Sequence, residues 1–527
     1  MAQRRHNFIS GAAVLALAVA VTKVLGALYK IPLGNLLDKE GMAHFYAAYN
    51  IYNLLLVLST AGLPLALSRL VSRAAAQGRR NAQRRIFRTA LALLAVIGAV
   101  CSAVMCLFPQ VLSGLLHDSL AAPAIRTLGP AVLFVCLTSA IRGYTQGLGD
   151  MTPTAVSQMT ESAGKLVIGL ALCLVLLHRG ADSSLCAAGA IAGVTAGSLL
   201  SLTVLTVFLL RRRDRAAVDV PPARSAVLRE LLTVGIPITL GAAGMSLITL
   251  LDQALVMSTL QNTLGYTEAA ATALYGEYTF GMTLFALPPS FIYPVTVSLV
   301  PDISAALARS DRPAAGRSAA AALKLTTLIA LPTGAGLSVL AGPILRLLYP
   351  AVPDTAAAAA YHLTILGIAC IFVCLMVATN GVLQAYGKEY IPVVTLLCGG
   401  ILKIITNYLM VGDPATNVRG APVSTLYCYG LIVVLNLIAI ARCVPERPSY
   451  LRLFARPVLI TAVMALAARS SYGLLSRSLP ERWAVLPAIA VAVVVYGVLV
   501  LALGAVTRQD VLDLPKGEKI ARMLHLH

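Results

Sequence analysis

The sequence predicts an all-α membrane protein with fourteen transmembrane helices, and three observations support this fold class. Hydrophobic residues make up 58% of the 527 residues, whereas charged residues make up only 12%. The mean hydropathy of +0.83 is far above that of water-soluble chains. Apolar runs of about 20 residues, the length that a helix needs to cross the hydrocarbon core, fill the chain.

The predicted spans follow one another with short polar connections. The first resembles a signal peptide because Arg4 and Arg5 precede it, but its apolar run is too long, and we expect it to be retained. The fourteen spans cover residues 8–33, 43–72, 85–113, 123–148, 153–178, 184–210, 230–258, 274–301, 318–345, 358–386, 390–411, 419–441, 455–476 and 484–506.

The net charge of +19 does not indicate nucleic-acid binding, because the basic residues are not gathered on a soluble domain. Of the 41 Lys and Arg residues, 26 lie in alternate loops on one side of the predicted membrane, and 8 lie on the opposite side. The positive-inside rule therefore places both termini in the cytoplasm. The even number of predicted spans agrees with this orientation.

The chain also repeats itself internally, which predicts two lobes. Four residues recur 238 positions later, and they pair as Gly143 with Gly381, Gln146 with Gln384, Gly149 with Gly387, and Lys165 with Lys403. Six predicted spans separate the copies, and because six is even, both copies have the same orientation. We expect two six-helix lobes related by a pseudo-twofold axis along the membrane normal, which rock about a central cavity.

The repeat predicts the domain organisation. Spans 1 to 6 form an N-lobe in residues 1–211, and a cytoplasmic linker follows at 212–228. Spans 7 to 12 form a C-lobe in residues 229–442. Spans 13 and 14, in residues 443–507, fall outside the repeat, and residues 508–527 form a cytoplasmic tail.

The motif content argues against bond-making chemistry. No loop is long enough for a soluble catalytic domain, and we find no Walker A loop, nucleotide fingerprint or GxSxG elbow. The ten cysteines form no CxxC pair, and the seven histidines include no HExxH motif. We therefore predict no catalytic residue, no cofactor and no metal site, and we do not expect ATP bound by this chain to supply energy.

Seven basic residues remain inside the predicted spans once those of the loops and helix ends are set aside. Three of them, Arg69, Arg142 and Lys324, lie near a cytoplasmic end, where a long side chain can snorkel to the headgroups. Lys30 has the same ambiguity at the outer end. The remaining three, near the middle of their spans, are Lys23, Lys165 and Lys403.

A charge at mid-membrane depth costs at least about 2.5 kcal/mol, so it should face water, an anion or an acidic partner. Glu161 lies one turn before Lys165 in the order that favours an ion pair, so pairing and substrate binding are both open for Lys165. Lys403 has Asn407 one turn on and no acid nearby in its own span. Lys23 also has no local acid, which makes it the best single candidate for meeting a substrate anion.

Two acids in the second lobe, Asp252 and Glu277, lie toward the outer leaflet, at a height comparable to Lys23 and Lys30 of the first lobe. If the lobes close on the outside, these opposite charges could meet as a gate. A cation site that combines Asp252 with Asn407 is a competing use of the same carboxylate.

Polar residues also cluster on the second span. Tyr49, Tyr52 and Asn53 share one face, with Asn50 beside them, and the two asparagines are candidates for binding sugar hydroxyls or for interhelical hydrogen bonds. Gly189, Gly193 and Gly197 form a stripe on the sixth span, which predicts close helix packing.

Two segments resemble a known family. They are TKVLGALYKIPLGNLLDKEGMAHFYAAYNIYNLLLVLSTAGLPLALSRLVS, and GYTQGLGDMTP followed by Lys165. They are similar to the SpoVB and YtgP branch of the multidrug/oligosaccharidyl-lipid/polysaccharide exporters, which is related to the lipid II flippases. The resemblance covers essentially the whole chain, and its first seventy residues are the most specific part.

The resemblance implies a flippase that moves an undecaprenyl-diphosphate-linked sugar, such as lipid II, from the inner to the outer leaflet of the bacterial cytoplasmic membrane by alternating access. A desolvated diphosphate needs cationic partners, which is a role for Lys23, Lys30, Lys165 and Lys403. Na⁺, H⁺ or the membrane potential would supply the energy, and we expect a monomer. The lipid II flippases carry essential arginines in helices 1, 2 and 8, whereas here the first span has lysines and the eighth has Glu277.

Two other functions remain open. A cation-coupled exporter of small amphipathic molecules would have a compact cavity instead of a lateral groove for a polyprenyl tail. A membrane-embedded glycosyltransferase or polymerase would have a long outer loop with catalytic acids or histidines, and the short outer loops argue against it.

Overall fold

The computed structural model of the chain describes residues 2–211, 219–444 and 450–505. Within these ranges it is built from helices, and they contain no strand, so the all-α class is confirmed. The helices are α1 (Ala2–Leu36), α2 (Lys39–Thr60), α3 (Leu63–Ala76), α4 (Arg80–Leu107), α5 (Pro109–Leu115), α6 (Ala122–Gly147), α7 (Thr152–His178), α8 (Ser183–Arg211), α9 (Arg224–Ser258), α10 (Glu268–Phe285), α11 (Leu287–Ala308), α12 (Arg312–Val339), α13 (Ala341–Leu348), α14 (Pro353–Ala385), α15 (Tyr390–Val411), α16 (Gly420–Cys443), α17 (Tyr450–Leu475) and α18 (Glu481–Ala502).

Twelve helical segments of the described ranges are long and apolar enough to cross a membrane. They coincide with twelve of the predicted spans, and the protein is a multi-pass membrane protein. The other two predicted spans, 8–33 and 274–301, fall on α1 and on α10 with α11, which are not among the twelve. The count of fourteen therefore stays a prediction.

Several predicted spans are interrupted in the structure. The second span is divided between α2 and α3 at Ala61 and Gly62, and the eighth is divided between α10 and α11 at Ala286. Each second helix begins with a proline in its first turn, Pro64 in α3 and Pro288 in α11. Proline has no N–H to donate and fits the first turn of a helix, so it starts a new helix instead of continuing the old one.

By the contacts among its residues, the chain forms two compact units. Unit 1 holds residues up to 279 together with 407–418, and unit 2 holds 280–406 and the residues from 419 on. The units therefore do not coincide with the predicted lobes, and the division into lobes remains a prediction. Of the predicted linker and tail, residues 212–218 and 508–527 lie outside the described residues.

In unit 1, glycines allow helices to pack at backbone contact. A Cβ atom on Gly193 of α8 would overlap the backbone of Gly169 of α7, and one on Gly197 would overlap the carbonyl oxygen of Glu161. Gly189 meets the side chain of Leu176 in the same way. The predicted packing role of this glycine stripe is confirmed, and it fixes the α7 backbone against α8.

The internal repeat has a matching backbone conformation in its two copies. After α6, Gly149 has a φ of +83°, and after α14, Gly387 has a φ of +71°. Gly149 N donates to the Gln146 carbonyl at 2.9 Å, and Gly387 N donates to the Gln384 carbonyl at 3.0 Å. A left-handed residue ends each helix, which explains why glycine recurs at this position.

The segment after α8 docks on the start of α4. The two carboxylate oxygens of Asp219 accept from Asn81 N at 2.8 Å and from Ala82 N at 2.9 Å. Arg79 donates to the Val220 carbonyl at 3.1 Å. Asp219 thus satisfies backbone donors that a helix N-terminus leaves open, from a position far away in the sequence.

Unit 2 is held together by apolar clusters. In one of them, Ala315, Ala319 and Leu323 of α12 pack with Val382 of α14 and Ile440 of α16. In another, Leu340, Met464 and Val485 are buried together, which joins α17 and α18 to the end of α12. The two helices that lie outside the sequence repeat are therefore part of the packed interior of unit 2.

Candidate functional site

Two of the predicted site lysines, Lys30 and Lys165, meet at the ring of Tyr49. The Lys30 Nζ donates to the Tyr46 hydroxyl at 3.1 Å and lies 4.6 Å from the Tyr46 ring centroid. The same ammonium group is 5.4 Å from the centroid of Tyr49. Tyr46 and Tyr49 are one turn apart on α2, so they present both rings to the amine of α1.

A second ammonium group reaches the same ring from α7. The Lys165 Nζ lies 4.9 Å from the Tyr29 centroid and 5.1 Å from the Tyr49 centroid. Tyr29 is buried and its hydroxyl donates to the Ala190 carbonyl at 2.8 Å, which holds its ring in place. Tyr49 therefore lies within cation–π range of two lysines from different helices.

Lys23 is the third member of this group. Its side chain is exposed, and it lies seven residues, or two helical turns, before Lys30 on the same face of α1. We call Lys23, Lys30 and Lys165 the lysine cluster. Within the part of the chain that the structure describes, no carboxylate lies within salt-bridge distance of these three amines.

Glu161 does not neutralise Lys165, although it lies one turn earlier on the same helix. Its Oε2 atom is 2.9 Å from Arg142 Nη2, in an ion pair between α6 and α7. The expectation that Arg142 snorkels to the headgroups is also corrected, because its side chain is only 13% exposed and is bound inside the unit. The pairing that sequence spacing suggested is replaced by one between helices.

The two asparagines of α2 face α9. Asn50 Nδ2 donates to Gln253 Oε1 at 2.7 Å, and Asn53 Nδ2 donates to Ser246 Oγ at 3.3 Å. Their amide donors therefore serve interhelical hydrogen bonds, the second of the two uses that the sequence left open. Their carbonyl oxygens are still acceptors, so a role in binding sugar hydroxyls stays a prediction.

The predicted gate acid Glu277 has a partner other than the expected one. Its Oε1 is 3.0 Å from Lys39 Nζ, at the start of α2, whereas the expected partners were Lys23 and Lys30. A Cβ on the adjacent Gly276 would overlap the Lys39 carbonyl oxygen, so α2 and α10 are in backbone contact here. Sequence reasoning missed Lys39 because hydropathy assigned it to a loop.

The second gate candidate, Asp252, accepts a hydrogen bond from Asn407. Asn407 Nδ2 donates to Asp252 Oδ1 at 2.6 Å, and both residues are buried, 0% and 4% exposed. The structure thus brings together the two residues of the competing cation site. Lys403 lies one turn earlier on α15 and is also buried.

A buried histidine–carboxylate contact was missed entirely. His44 Nδ1 and Asp118 Oδ1 are 2.7 Å apart, and both residues are 1% exposed. The pair joins α2 to the turn between α5 and α6, and the next residue, Ser119, donates to Glu268 at the start of α10. The only sequence signals were His44 within an apolar stretch and Asp118 within a short polar turn.

Unit 2 contains an apolar cavity of about 550 Å³. Its walls come from α10, α11, α12, α17 and α18, and they include Leu284, Pro288, Leu337, Met464, Ala492 and Tyr496. Apolar side chains line almost all of it, so it suits a hydrocarbon chain better than a charged molecule.

Comparison with known families gives two matches. Residues 8–307, more than half of the chain, match the family described as polysaccharide biosynthesis protein. Residues 237–409 match the family described as MatE.

Three curated relatives come from Bacillus subtilis (strain 168). The chain is 26% identical to membrane protein YabM over 533 residues, which cover 99% of this chain and 97% of the relative. It is 24% identical to stage V sporulation protein B, with 84% of this chain and 85% of that one covered. It is 24% identical to lipid II flippase MurJ, with 88% of each chain covered.

Solved structures share the fold. Lipid II flippase MurJ in an inward closed conformation superimposes with a TM-score of 0.72 at 14% identity, over 93% of this chain and 98% of that one. A multidrug resistance MATE family transporter in an inward-facing conformation gives a TM-score of 0.65 at 15% identity, over 84% of this chain and 98% of that one.

Proposed function

The chain belongs to the polysaccharide biosynthesis protein family, within the multidrug/oligosaccharidyl-lipid/polysaccharide superfamily of flippases and transporters, and on that premise we propose its substrate. We propose that it translocates an undecaprenyl-diphosphate-linked sugar, such as lipid II or a related cell-wall or spore-cortex precursor, from the inner to the outer leaflet. The relatives named as a lipid II flippase and a stage V sporulation protein support this substrate class.

The observation that carries the proposal is the lysine cluster. Lys30 and Lys165 share the Tyr49 ring, and Lys23 adds a third positive charge from α1. Positive charges at this depth are costly unless an anion or water meets them. A diphosphate supplies the missing negative charge and can accept hydrogen bonds from several ammonium groups.

The cavity of unit 2 supports a lipid over a small soluble molecule. It is lined almost entirely by apolar side chains and has a volume of about 550 Å³. A polyprenyl chain needs such a surface, whereas a polar substrate gains nothing from it. The apolar lining of this cavity by itself supports a substrate class that has a hydrocarbon part, such as a polyprenyl tail.

We further propose a cytoplasmic-membrane location with both termini in the cytoplasm, and action as a transporter that makes and breaks no covalent bond. The relative named as a lipid II flippase supports the second point. The excess of Lys and Arg on the side of the two termini supports the orientation.

A cation-coupled exporter of small amphipathic molecules is the second candidate. The MatE match over residues 237–409 includes both Asp252 and Asn407, which are hydrogen-bonded at 2.6 Å. Such an exporter would not require the lysine cluster for its substrate. The two candidates therefore differ in what removal of a lysine charge should do.

Binding of undecaprenyl diphosphate to the purified full-length protein in lipid nanodiscs tests the proposal. Lys30→Gln and Lys165→Gln each remove one charge-assisted contact of about 1.5–3 kcal/mol, so the Kd should rise about tenfold or more. Lys388→Gln, outside the cluster, is the matched control and should bind like wild type. Leaflet-resolved labelling of lipid II in cells depleted of other flippases then measures transport by the same variants.

The flippase proposal would be rejected if Lys30→Gln and Lys165→Gln bind undecaprenyl diphosphate with unaltered affinity and the wild-type protein exports cationic dyes. The protein would then be assigned as a cation-coupled exporter.

A further inference from the structure

We propose that Arg142 is a positioning residue for the lysine cluster: it holds Glu161 away from Lys165 and so leaves the Lys165 ammonium group for the substrate anion. This inference rests on the proposed function, because it concerns how the same site stays positively charged. Arg142 itself is not assigned a contact with the substrate.

The starting point is a competition on α7. Glu161 and Lys165 are four residues apart with the acid first, which is the favourable order for an ion pair along a helix. With no other partner, the carboxylate of Glu161 would be the nearest anion on α7 for Lys165. Such an internal pair would cancel one of the three positive charges of the cluster.

In the structure, the Glu161 carboxylate is bound by a residue of another helix, Arg142. Arg142 Nη2 of α6 lies 2.9 Å from Glu161 Oε2. The Lys165 ammonium instead lies over the rings of Tyr29 and Tyr49. Rings attract a cation without neutralising it, so the full positive charge of Lys165 remains for an anion.

Arg142 is fixed by more than its ion pair. Its Nε donates to Ser157 Oγ at 2.9 Å, and its Nη2 also donates to Ser201 Oγ at 3.0 Å. Both serines are fully buried. A planar guanidinium with donors on several edges can make all of these bonds at once, which a flexible lysine amine in the same place could not do.

The backbone beneath the competing residues is also fixed. A Cβ on Gly197 would overlap the Glu161 carbonyl oxygen, and one on Gly193 would lie 2.8 Å from the Lys165 carbonyl oxygen. α8 therefore holds this turn of α7, and only side-chain torsions decide which cation Glu161 meets. The hydrogen bonds that Arg142 donates to Glu161, Ser157 and Ser201 decide it in favour of Arg142 of α6.

The experiment is a set of charge-neutralising variants in nanodiscs, with undecaprenyl diphosphate as the probe. Arg142→Gln frees Glu161 to pair with Lys165, so the Kd should rise about tenfold, as for loss of one charge-assisted contact. Arg142→Gln combined with Glu161→Gln removes the competitor as well, so the affinity should return to within about twofold of wild type. The thermal midpoint of each variant is measured in parallel.

A cycle with Lys165 separates this inference from a structural role, because removing both partners of a buried ion pair can also restore stability. In a Lys165→Gln background, Arg142→Gln should leave the Kd unchanged, since there is no ammonium left to protect. General damage to the fold would instead weaken binding by the same factor in both backgrounds, and a direct contact between Arg142 and the diphosphate would prevent rescue by Glu161→Gln. Either result overturns the inference.

The outcome for Lys165→Gln alone distinguishes the two levels of the proposal. If this variant and Lys30→Gln both bind like wild type, the proposed function fails, and the inference fails with it; if only Lys165→Gln binds like wild type, the inference alone fails. If it binds weakly while Arg142→Gln binds like wild type, only the role of Arg142 is rejected.

Discussion

Lys39 Nζ and Glu277 Oε1 form an ion pair of 3.0 Å between the first residue of α2 and the middle of α10. The charge distribution predicts that this end of α2 faces the outside, so the pair is a candidate latch on the outer side of unit 1. The two side chains are 40% and 16% exposed, and an ion pair of this kind contributes about 0.2–1 kcal/mol. That is enough to bias an opening equilibrium, but not to lock it.

Charge reversal at Lys39 should loosen this latch. Lys39→Glu places two carboxylates together, so an introduced cysteine at the buried Ala47 of α2 should react about two to five times faster with an impermeant maleimide. Glu277→Lys should have the same effect, and the double exchange Lys39→Glu with Glu277→Lys should restore slow labelling. Equal rates in all four proteins would exclude the pair from control of access.

Adding one methyl group at the contact between α7 and α8, at Gly193, should destabilise the protein. In Gly193→Ala the new Cβ would overlap the backbone of Gly169, and forced repacking of this kind costs about 1–3 kcal/mol. Gly430→Ala is the matched control, because nothing lies within 4 Å of its Cβ position, and the helix propensity of alanine favours it by up to about 1 kcal/mol. Thermal unfolding in nanodiscs should show a lower midpoint for the first variant only.

Much of the fold could be predicted because hydropathy reports the solvent around each helix. The twelve described segments that can cross a membrane follow from runs of apolar residues alone. The glycines at 149 and 387 were found by repetition, and both end a helix in the left-handed conformation. The breaks before Pro64 and Pro288 were not predicted, because the apolar runs continue through them.

The candidate site was predicted less completely, because partners on different helices leave no local signal. The spacing of Glu161 and Lys165 indicated an ion pair, but Arg142 on α6 holds the carboxylate. Lys39 was assigned to a loop, yet it is the partner of Glu277. Spacing along one helix shows which ion pairs are possible within that helix. The packing of neighbouring helices decides which ion pairs form.

The Asp219 contact with α4 should weaken in acid. Desolvation raises the pKa of Asp219, but hydrogen bonds from the backbone N–H groups of Asn81 and Ala82 and the charge of Arg79 outweigh it, so the pKa is lowered overall. A lowered pKa in the folded state means that the stabilisation is complete above the ordinary value of about 3.9 and is lost as the pH falls through the folded-state value.

Hydrogen-exchange protection of the Asn81 and Ala82 amides checks this expectation. Protection should be constant from pH 8 to pH 5 and should fall only below about pH 4, where the carboxylate takes up a proton. In Asp219→Asn, protection should already be lower at neutral pH and should not respond to acid. Amides in the middle of α8 serve as the reference, and a response of the variant equal to that of wild type would assign the acid effect to another group.

The ring of Tyr49, rather than its hydroxyl, should hold the lysine cluster in place. Tyr49→Leu removes a surface within 5.4 Å of both Lys30 and Lys165, and loss of cation–π contacts of about 0.5–2 kcal/mol should raise the Kd for undecaprenyl diphosphate several-fold. Tyr49→Phe keeps the ring and should retain most of the affinity. Equal weakening in both variants would point to the hydroxyl as the contributing group.

Asp252 and Asn407 should couple transport to a cation. A buried carboxylate hydrogen-bonded to an amide 2.6 Å away offers oxygen ligands to Na⁺ and a site for a proton, and both residues lie in the segment that matches the MatE family. In proteoliposomes, transport by the wild-type protein should depend on a gradient of Na⁺ or of pH. Asp252→Asn removes the charge that either cation would neutralise, so transport should lose this dependence while binding of undecaprenyl diphosphate to the lysine cluster remains.

The control is Asp354→Asn, which changes an exposed carboxylate at the predicted outer start of α14 and should respond to the gradients like wild type. A gradient response that persists in Asp252→Asn would place the coupling site elsewhere and would leave the Asp252–Asn407 hydrogen bond as a purely structural link between α9 and α15.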